Sequence, residues 1–243
     1  MASWVRLHVI LDNEPAPGLA RGWGWSVYLE APGWRGLFDA DTEPSKVEHN
    51  AEALGVDLSR LDWALLSHHH YDHKGGFPAV ARARPGLPVY VPPGCDGTLE
   101  RLGLKPRVAR APTPVAEAGG EAWSSGPLRA PGWGLWEHAL ALRVGSGVLV
   151  VVGCSHPGAD RLAEAALRAA GGGRLLAVIG GFHGPPPEVL DRLAGMAEAV
   201  CPTHCSGPEA LAYLERRHPD RLCRARTGST LKVTPWGVEV ESY

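Results

Sequence analysis

The spacing of apolar and polar positions divides the chain into two halves. In the first, Val5–Leu11, Ser26–Glu30 and Arg35–Asp39 read as strands, the last two joined by a Pro32-Gly33 turn as a hairpin. A helix is expected over Ser45–Leu54, a short apolar strand over Trp63–Ser67, a helix over Phe77–Arg84 and a strand over Pro88–Val91. The second half opens with another hairpin, His138–Val144 and Gly147–Val152. It continues as helix Asp160–Ala170, strand Leu175–Ile179, helix Pro187–Glu198, strand Ala199–Pro202 and helix Pro208–Arg217, and closes with Leu222–Ala225 and Thr230–Val233. The runs GVLVVVGC and RLLAVIGG carry no polar alternation, so both faces of those strands should be covered. Each half passes from hairpins into strand–helix alternation. Two mixed sheets packed together with helices outside are the simplest layered solution, an α/β fold.

Ala109–Gly134 is rich in Pro, Gly and Ala and reads as loops and hairpins inside a single domain spanning residues 1–243. The composition is that of a soluble globular protein: 44% hydrophobic, 21% charged, net charge −2. The near-neutral balance argues against a nucleic-acid partner held by bulk electrostatics, although Arg216, Arg217, Arg221, Arg224 and Arg226 cluster near the end. No apolar run approaches the roughly 20 residues that span a bilayer, and the first residues lack a secretory pattern. A cytoplasmic protein without membrane partners is expected. The five cysteines, Cys95, Cys154, Cys201, Cys205 and Cys223, are odd in number and irregularly spaced, which argues against a disulfide framework.

The candidate chemistry begins at SHHHYDHKGG, residues 67–76, directly after the strand Trp63–Ser67. His68 and His70, two apart in extended chain, can point to one side, while Asp72 and His73 face a second point after the loop turns. Imidazole plus carboxylate suits Zn²⁺, and the set supports two adjacent metal sites. His69 alternates with the ligands and should point away. Gly75 and Gly76 should let the backbone turn into the next helix. His183, in AVIGGFHG, ends another strand and reads as a general acid or an extra ligand. Asp12, Asn13 and Glu14 could rim a site or cap a turn; Trp23 and Trp25 could stack a planar substrate or fill the core.

The ordered HxHxDH loop resembles the metallo-β-lactamase superfamily. That resemblance implies a four-layer αββα sandwich with a metal cleft between its halves. It also implies Asp39 of LFDADT as a support for the loop, Cys154 of VLVVVGCSHPG where a bridging Asp or Cys is expected, and His204 of CPTHCSG as a last ligand. The histidine usual in a PGH-like turn is absent, because APGWGLWEHALAL places Trp133 there; His156 is the preferred substitute and His138 the alternative. Cys154 would either ligate as a thiolate or sit beside the site as a small buried thiol. The motifs DNEP, GWGWSVYLE, LFDADT, SHHHYDHKGG, GCSHPG, IGGFHG and PTHCSG, in this order, resemble the dihydropteroate-synthase-like branch, that of 7,8-dihydropterin-6-methyl-4-(β-D-ribofuranosyl)aminobenzene-5′-phosphate synthase.

The expectation that follows is a metal-dependent hydrolase or related transferase acting on a small ester, phosphoester or similar substrate. His68, His70 and His156 would hold one Zn²⁺, and Asp72, His73 and His204 a second, with Asp72 and His183 as catalytic groups. Iron or manganese are alternative metals. An iron-dependent redox protein, or an inactive metal- or ligand-binding protein, are the alternative functions.

Overall fold

The computed structural model describes residues 2–241. Its architecture follows from where alternating side chains are buried. In the strand Gly147–Val152 all six residues are buried. Leu149 and Val151 join one apolar cluster, while Val148, Val150 and Val152 join another. The first cluster also takes Leu7, Val9, Val27, Leu29, Phe38 and Leu65, so it lies between two sheets. The second takes Leu162, Ala163 and Ala166 of helix Ala159–Ala169 and Leu190 and Leu193 of helix Pro187–Met196, so it lies between sheet and helices. A third joins Tyr28, Leu37, Ala64 and Val89 to Val47 and Phe77, which come from helices Pro44–Ala53 and Phe77–Ala83. Three apolar interfaces separate four layers, helix–sheet–sheet–helix, the αββα arrangement.

One sheet has eight strands, in the order Gly237–Glu241, Thr230–Thr234, Val5–Leu11, Ser26–Ala31, Trp34–Phe38, Trp63–Leu65, Pro88–Val91 and Lys105–Val108. The other large sheet has six: Ala197–Thr203, Arg174–Gly181, Gly147–Val152, Leu140–Val144, Ala122–Ser124 and Thr113–Pro114; Leu128–Arg129 and Trp136–Glu137 pair apart from them as a two-stranded antiparallel ribbon. Both large sheets are mixed. Trp34–Phe38 to Lys105–Val108 run parallel, as do the first three of the six, and the remaining pairs are antiparallel. The parallel strands deliver their carboxyl ends to one edge, where ligand sites of such sheets form.

Two details depart from the sequence reading. Leu222–Ala225 forms a single bridge, Val200 to Leu222, instead of a strand, and the edge is made by Gly237–Glu241, pairing with Thr230–Thr234. Cys201 and Cys223 are joined by a disulfide, which irregular spacing did not foretell; the Cys223 N–H donates to the Val200 carbonyl at 2.9 Å, bringing two segments 22 residues apart in sequence side by side. Cys95, Cys154 and Cys205 remain free. Among the described residues no helix is long and apolar enough to cross a membrane.

Candidate metal centre

The strand Trp63–Leu65 ends against the sheet edge, and residues 67–70 continue extended into a short helical turn, Tyr71–Lys74. The Ala40 N–H donates to the His73 carbonyl (2.8 Å) and the Trp25 N–H to the Asp72 carbonyl (3.1 Å), so the turn is bound to two other loops. Gly75 and Gly76 are needed for a reason other than turning. Both have right-handed helical backbone, but a Cβ would strike the Thr42 carbonyl at Gly75 and the Ala40 carbonyl at Gly76. Close approach, not conformational freedom, is what these glycines supply.

Two sets of donor atoms converge, each within 4.8 Å: His68, His70 and His156, and Asp72, His73, Cys154 and His204. Within the first, the rings of His68 and His70 lie 4.6 Å apart and His156 stands 4.8 Å from His68. The His68 and His73 ring centroids, one from each set, are 4.2 Å apart, so the sets adjoin.

Four of the histidines are held from behind. The buried Asp39 carboxylate has left-handed backbone (φ 54°); it accepts the Ser67 N–H (2.7 Å), the Ser67 hydroxyl (2.7 Å) and His73 Nδ1–H (2.6 Å). His68 Nδ1–H donates to the same Ser67 hydroxyl at 2.9 Å. His156 Nδ1–H donates to Glu137 Oε2 at 2.9 Å, and His204 Nδ1–H to Asn13 Oδ1 at 3.0 Å. Asp12 accepts the His204 N–H at 2.6 Å, so DNEP braces the last histidine. Each tautomer follows from its partner and leaves Nε2 facing the centre, the arrangement by which proteins orient imidazole ligands.

Electrostatics agree for three of the rings, whereas at His204 burial is outweighed by the neighbouring Asp72 carboxylate, which raises the pKa. Burial holds His68 well below its ordinary range, and lowers His70 and His73 to about 4, so these rings are neutral with lone pairs available at neutral pH. Burial works against ionised Asp72, but the His204 ring, with Nε2 3.4 Å from Oδ2, outweighs it and holds the carboxyl below its usual range. Two features fit a cation. His204 Nε2 is buried and makes no well-formed hydrogen bond, with Asp72 Oδ2 standing off at 3.4 Å, so that a carboxylate and an imidazole face one point. His68 Nε2 also confronts His70 Nδ1 at 3.1 Å, two ring nitrogens converging on one point. Unpartnered buried nitrogens cost free energy unless something binds them.

His138 is not part of either set. Its Nε2–H donates to the Leu66 carbonyl (2.9 Å) and its Nδ1 accepts from the Ser124 hydroxyl (2.7 Å), so both nitrogens are used. His69 also stays out, packing its ring 5.3 Å from His70. Trp133, half exposed, covers His156 (4.6 Å) and His183 (4.9 Å). Trp23 is exposed and donates Nε1–H to Asp72 Oδ2 at 3.0 Å, whereas Trp25 is core. His183 is exposed, 4.6 Å ring to ring from His156.

Two residues escaped the sequence reading. Glu137, fully buried, accepts the Ser155 N–H (2.7 Å), the His156 N–H (2.8 Å) and His156 Nδ1–H. An acidic residue opening the apolar run HALALRV was the available signal. Cys205 lies beside Cys154 and His183, and only the fold brings them together.

Burial of His138 gives a pH dependence of its own. The ring falls from 6.5 to about 4, so unfolding takes up a proton between those values. Stability is complete above pH 6.5 and declines as pH falls toward 4, by about 3 kcal/mol from this residue. In urea denaturation with chelator present, the stability of the wild type relative to His138→Gln is expected to shrink by about that amount between pH 7 and pH 4. Parallel pH curves for the two proteins would contradict the assignment.

An αββα sandwich with two histidine-rich donor sets at the strand ends is the architecture of the β-lactamase superfamily fold. The chain belongs to the β-lactamase superfamily, the family model described as the Beta-lactamase superfamily domain matching residues 32–223. It is 24% identical over 245 residues to the 7,8-dihydropterin-6-methyl-4-(β-D-ribofuranosyl)-aminobenzene-5′-phosphate synthase of Methanocaldococcus jannaschii, covering 81% of this chain and 83% of that protein. The structure is similar to that of Tm1679, a metal-dependent hydrolase of the β-lactamase superfamily (TM-score 0.76, 22% identity, 95% of this chain and 99% of the other). It is also similar to a diphosphatase of the PhnP family (TM-score 0.63, 15% identity, 96% and 98%).

Proposed function

We propose that the protein is a metal-dependent hydrolase, or a related transferase, acting on an ester, phosphoester or similar bond of a small molecule, with zinc in two adjoining sites. The observation that carries this reading is the pair of converging donor sets, three imidazoles beside a carboxylate–imidazole–thiol group. His68, His70 and His156 would hold one ion; Asp72, His73 and His204 the other, with Cys154 between. Bound Zn²⁺ lowers the pKa of a coordinated water to about 7 and stabilises developing oxyanion charge. Asp72, fixed by Trp23, orients the nucleophile as well as binding. His183 stands at the open side as proton donor to the leaving group; its hydrogen bond to Cys205 raises its pKa and favours the protonated ring. Trp23 and Trp133 wall the mouth and keep a bound substrate over the centre. The transferase half of the reading is supported by the synthase relative, whose name records a joined dihydropterin and aminobenzene ribofuranosyl 5′-phosphate.

Metal analysis of protein purified without added metal, followed by a panel of phosphoester, carboxylic ester and lactone substrates with wild type and His70→Ala, tests the proposal. Zinc-dependent turnover that is lost in His70→Ala is the expected result. Two irons per chain with a visible absorption band would overturn the zinc reading. Turnover of no class by zinc-loaded protein would overturn the hydrolytic one.

A further inference from the structure

A third group of metal-binding side chains adjoins the two already described. Cys154, His183 and Cys205 place one ligand atom each within 4.8 Å of one another. They arrive from three strand ends: Cys154 after Gly147–Val152, His183 after Arg174–Gly181, and Cys205 in the turn His204–Ser206 after Ala197–Thr203. We propose that these three residues form an additional cation site of soft character, sharing the Cys154 sulfur with the Asp72/His73/His204 set, and that it takes a thiophilic divalent ion such as Zn²⁺ or Cd²⁺.

Three independent features of the backbone are arranged around this grouping. His183 and the residue before Cys205, His204, both have left-handed backbone, φ 53° and 49°, a conformation that non-glycine residues adopt rarely and that the surrounding structure must hold in place. Gly181 leaves the space the Cys205 sulfur needs, since a Cβ there would stand 2.6 Å from Sγ. The sulfur lies 3.8 Å from the Cys154 carbonyl oxygen, close behind its partner thiol. The donor set also differs in kind. The other two sets are built mainly from nitrogen and oxygen, whereas this one offers two sulfurs and one imidazole, which favours soft or borderline cations. Cys154 is buried, Cys205 half-buried and His183 exposed, so the set is closed on the protein side and open to solvent on the other. Three protein ligands with one open position is the pattern of a site that exchanges its fourth ligand. A thiolate at Cys154, which belongs to both groups, would join this site to the neighbouring ion.

The site goes beyond the hydrolase reading, in which His183 is a proton donor; a ring that ligates a cation cannot donate, so the filled site and the proton-donating ring are alternative states, and the test needs no turnover. Metal-stripped, reduced protein is titrated anaerobically with Cd²⁺ while sulfur-to-cadmium ultraviolet absorption and the bound ions are followed, the latter by native mass spectrometry. Wild type is expected to bind one ion more than Cys205→Ser or His183→Ala, with weaker absorption in Cys205→Ser. Both variants would keep the ions of the other sets. The full chain supplies a second measurement that requires no variant. Cadmium should slow alkylation of Cys205 by iodoacetamide at least about tenfold, while buried Cys95 serves as the reference thiol. Equal ion counts in wild type and both variants, or unchanged alkylation of Cys205, would overturn the proposal. Formation of a Cys154–Cys205 disulfide that persists in reductant, with no cadmium absorption, would do so as well.

Discussion

His156→Ala is expected to lose one bound metal ion and lower metal affinity at its set by well over the roughly 100-fold that loss of a ligand's supporting partner brings. The expectation rests on convergence. His68, His70 and His156 form one three-nitrogen set with ring centroids 4.6, 4.8 and 4.9 Å apart, and among the described residues no fourth His, Cys, Asp or Glu joins it. Removing one of three imidazoles leaves two, too few to hold the ion against water. Turnover on any substrate found should fall with it. His138→Gln is the matched control, since His138 spends both nitrogens on Leu66 and Ser124. It should alter stability and leave the metal count unchanged. Metal content after dialysis against a weak chelator decides the matter: a full complement in His156→Ala, or a missing ion in His138→Gln, would reverse the assignment.

That comparison also marks how far the sequence could be read. His68, His70, Asp72 and His73 lie within six residues, so local geometry alone sets them near one another. The fold was legible for a related reason: strands such as Gly147–Val152 and Arg174–Gly181 are apolar on both faces, and only a sheet covered twice buries them. Cys154, His156 and His204 were singled out through the resemblance to the metallo-β-lactamase superfamily, and the parallel strands bring the strand ends that carry them to one edge. The partners behind the ligands were not. Glu137 reaches His156 from the strand Trp136–Glu137, 19 residues away in sequence, Asn13 reaches His204 across 191 residues, and Cys205 reaches Cys154 across 51. Such pairings depend on register and crossover, which hydrophobic periodicity leaves open. The Cys201–Cys223 disulfide was hidden for the same reason. Trp133 was legible only as a missing ligand; its place against His156 and His183 required the loop's path.

Glu137 carries the second large effect. Its carboxylate is fully buried and accepts three hydrogen bonds, from two backbone N–H groups and one imidazole. In Glu137→Ala the Ser155 and His156 amides lose their acceptor inside the protein, and each orphaned donor costs about 1–3 kcal/mol. A cavity is left as well, so a total loss of about 3–5 kcal/mol is expected, read as a lower denaturation midpoint of the metal-free protein. His156 at the same time loses the bond that fixes its tautomer and aims Nε2 at the centre, and metal affinity should fall about 10- to 100-fold. Glu137→Gln separates the two effects. Its amide keeps the volume and one acceptor oxygen, but that oxygen cannot serve all three donors, and its NH₂ group faces one of them. Stability should therefore recover in part while metal affinity stays low. If Glu137→Gln bound metal like wild type, the carboxylate would be holding the loop alone and not the ligand. The structure argues otherwise, because Oε2 accepts both the backbone N–H and the ring N–H of the same histidine.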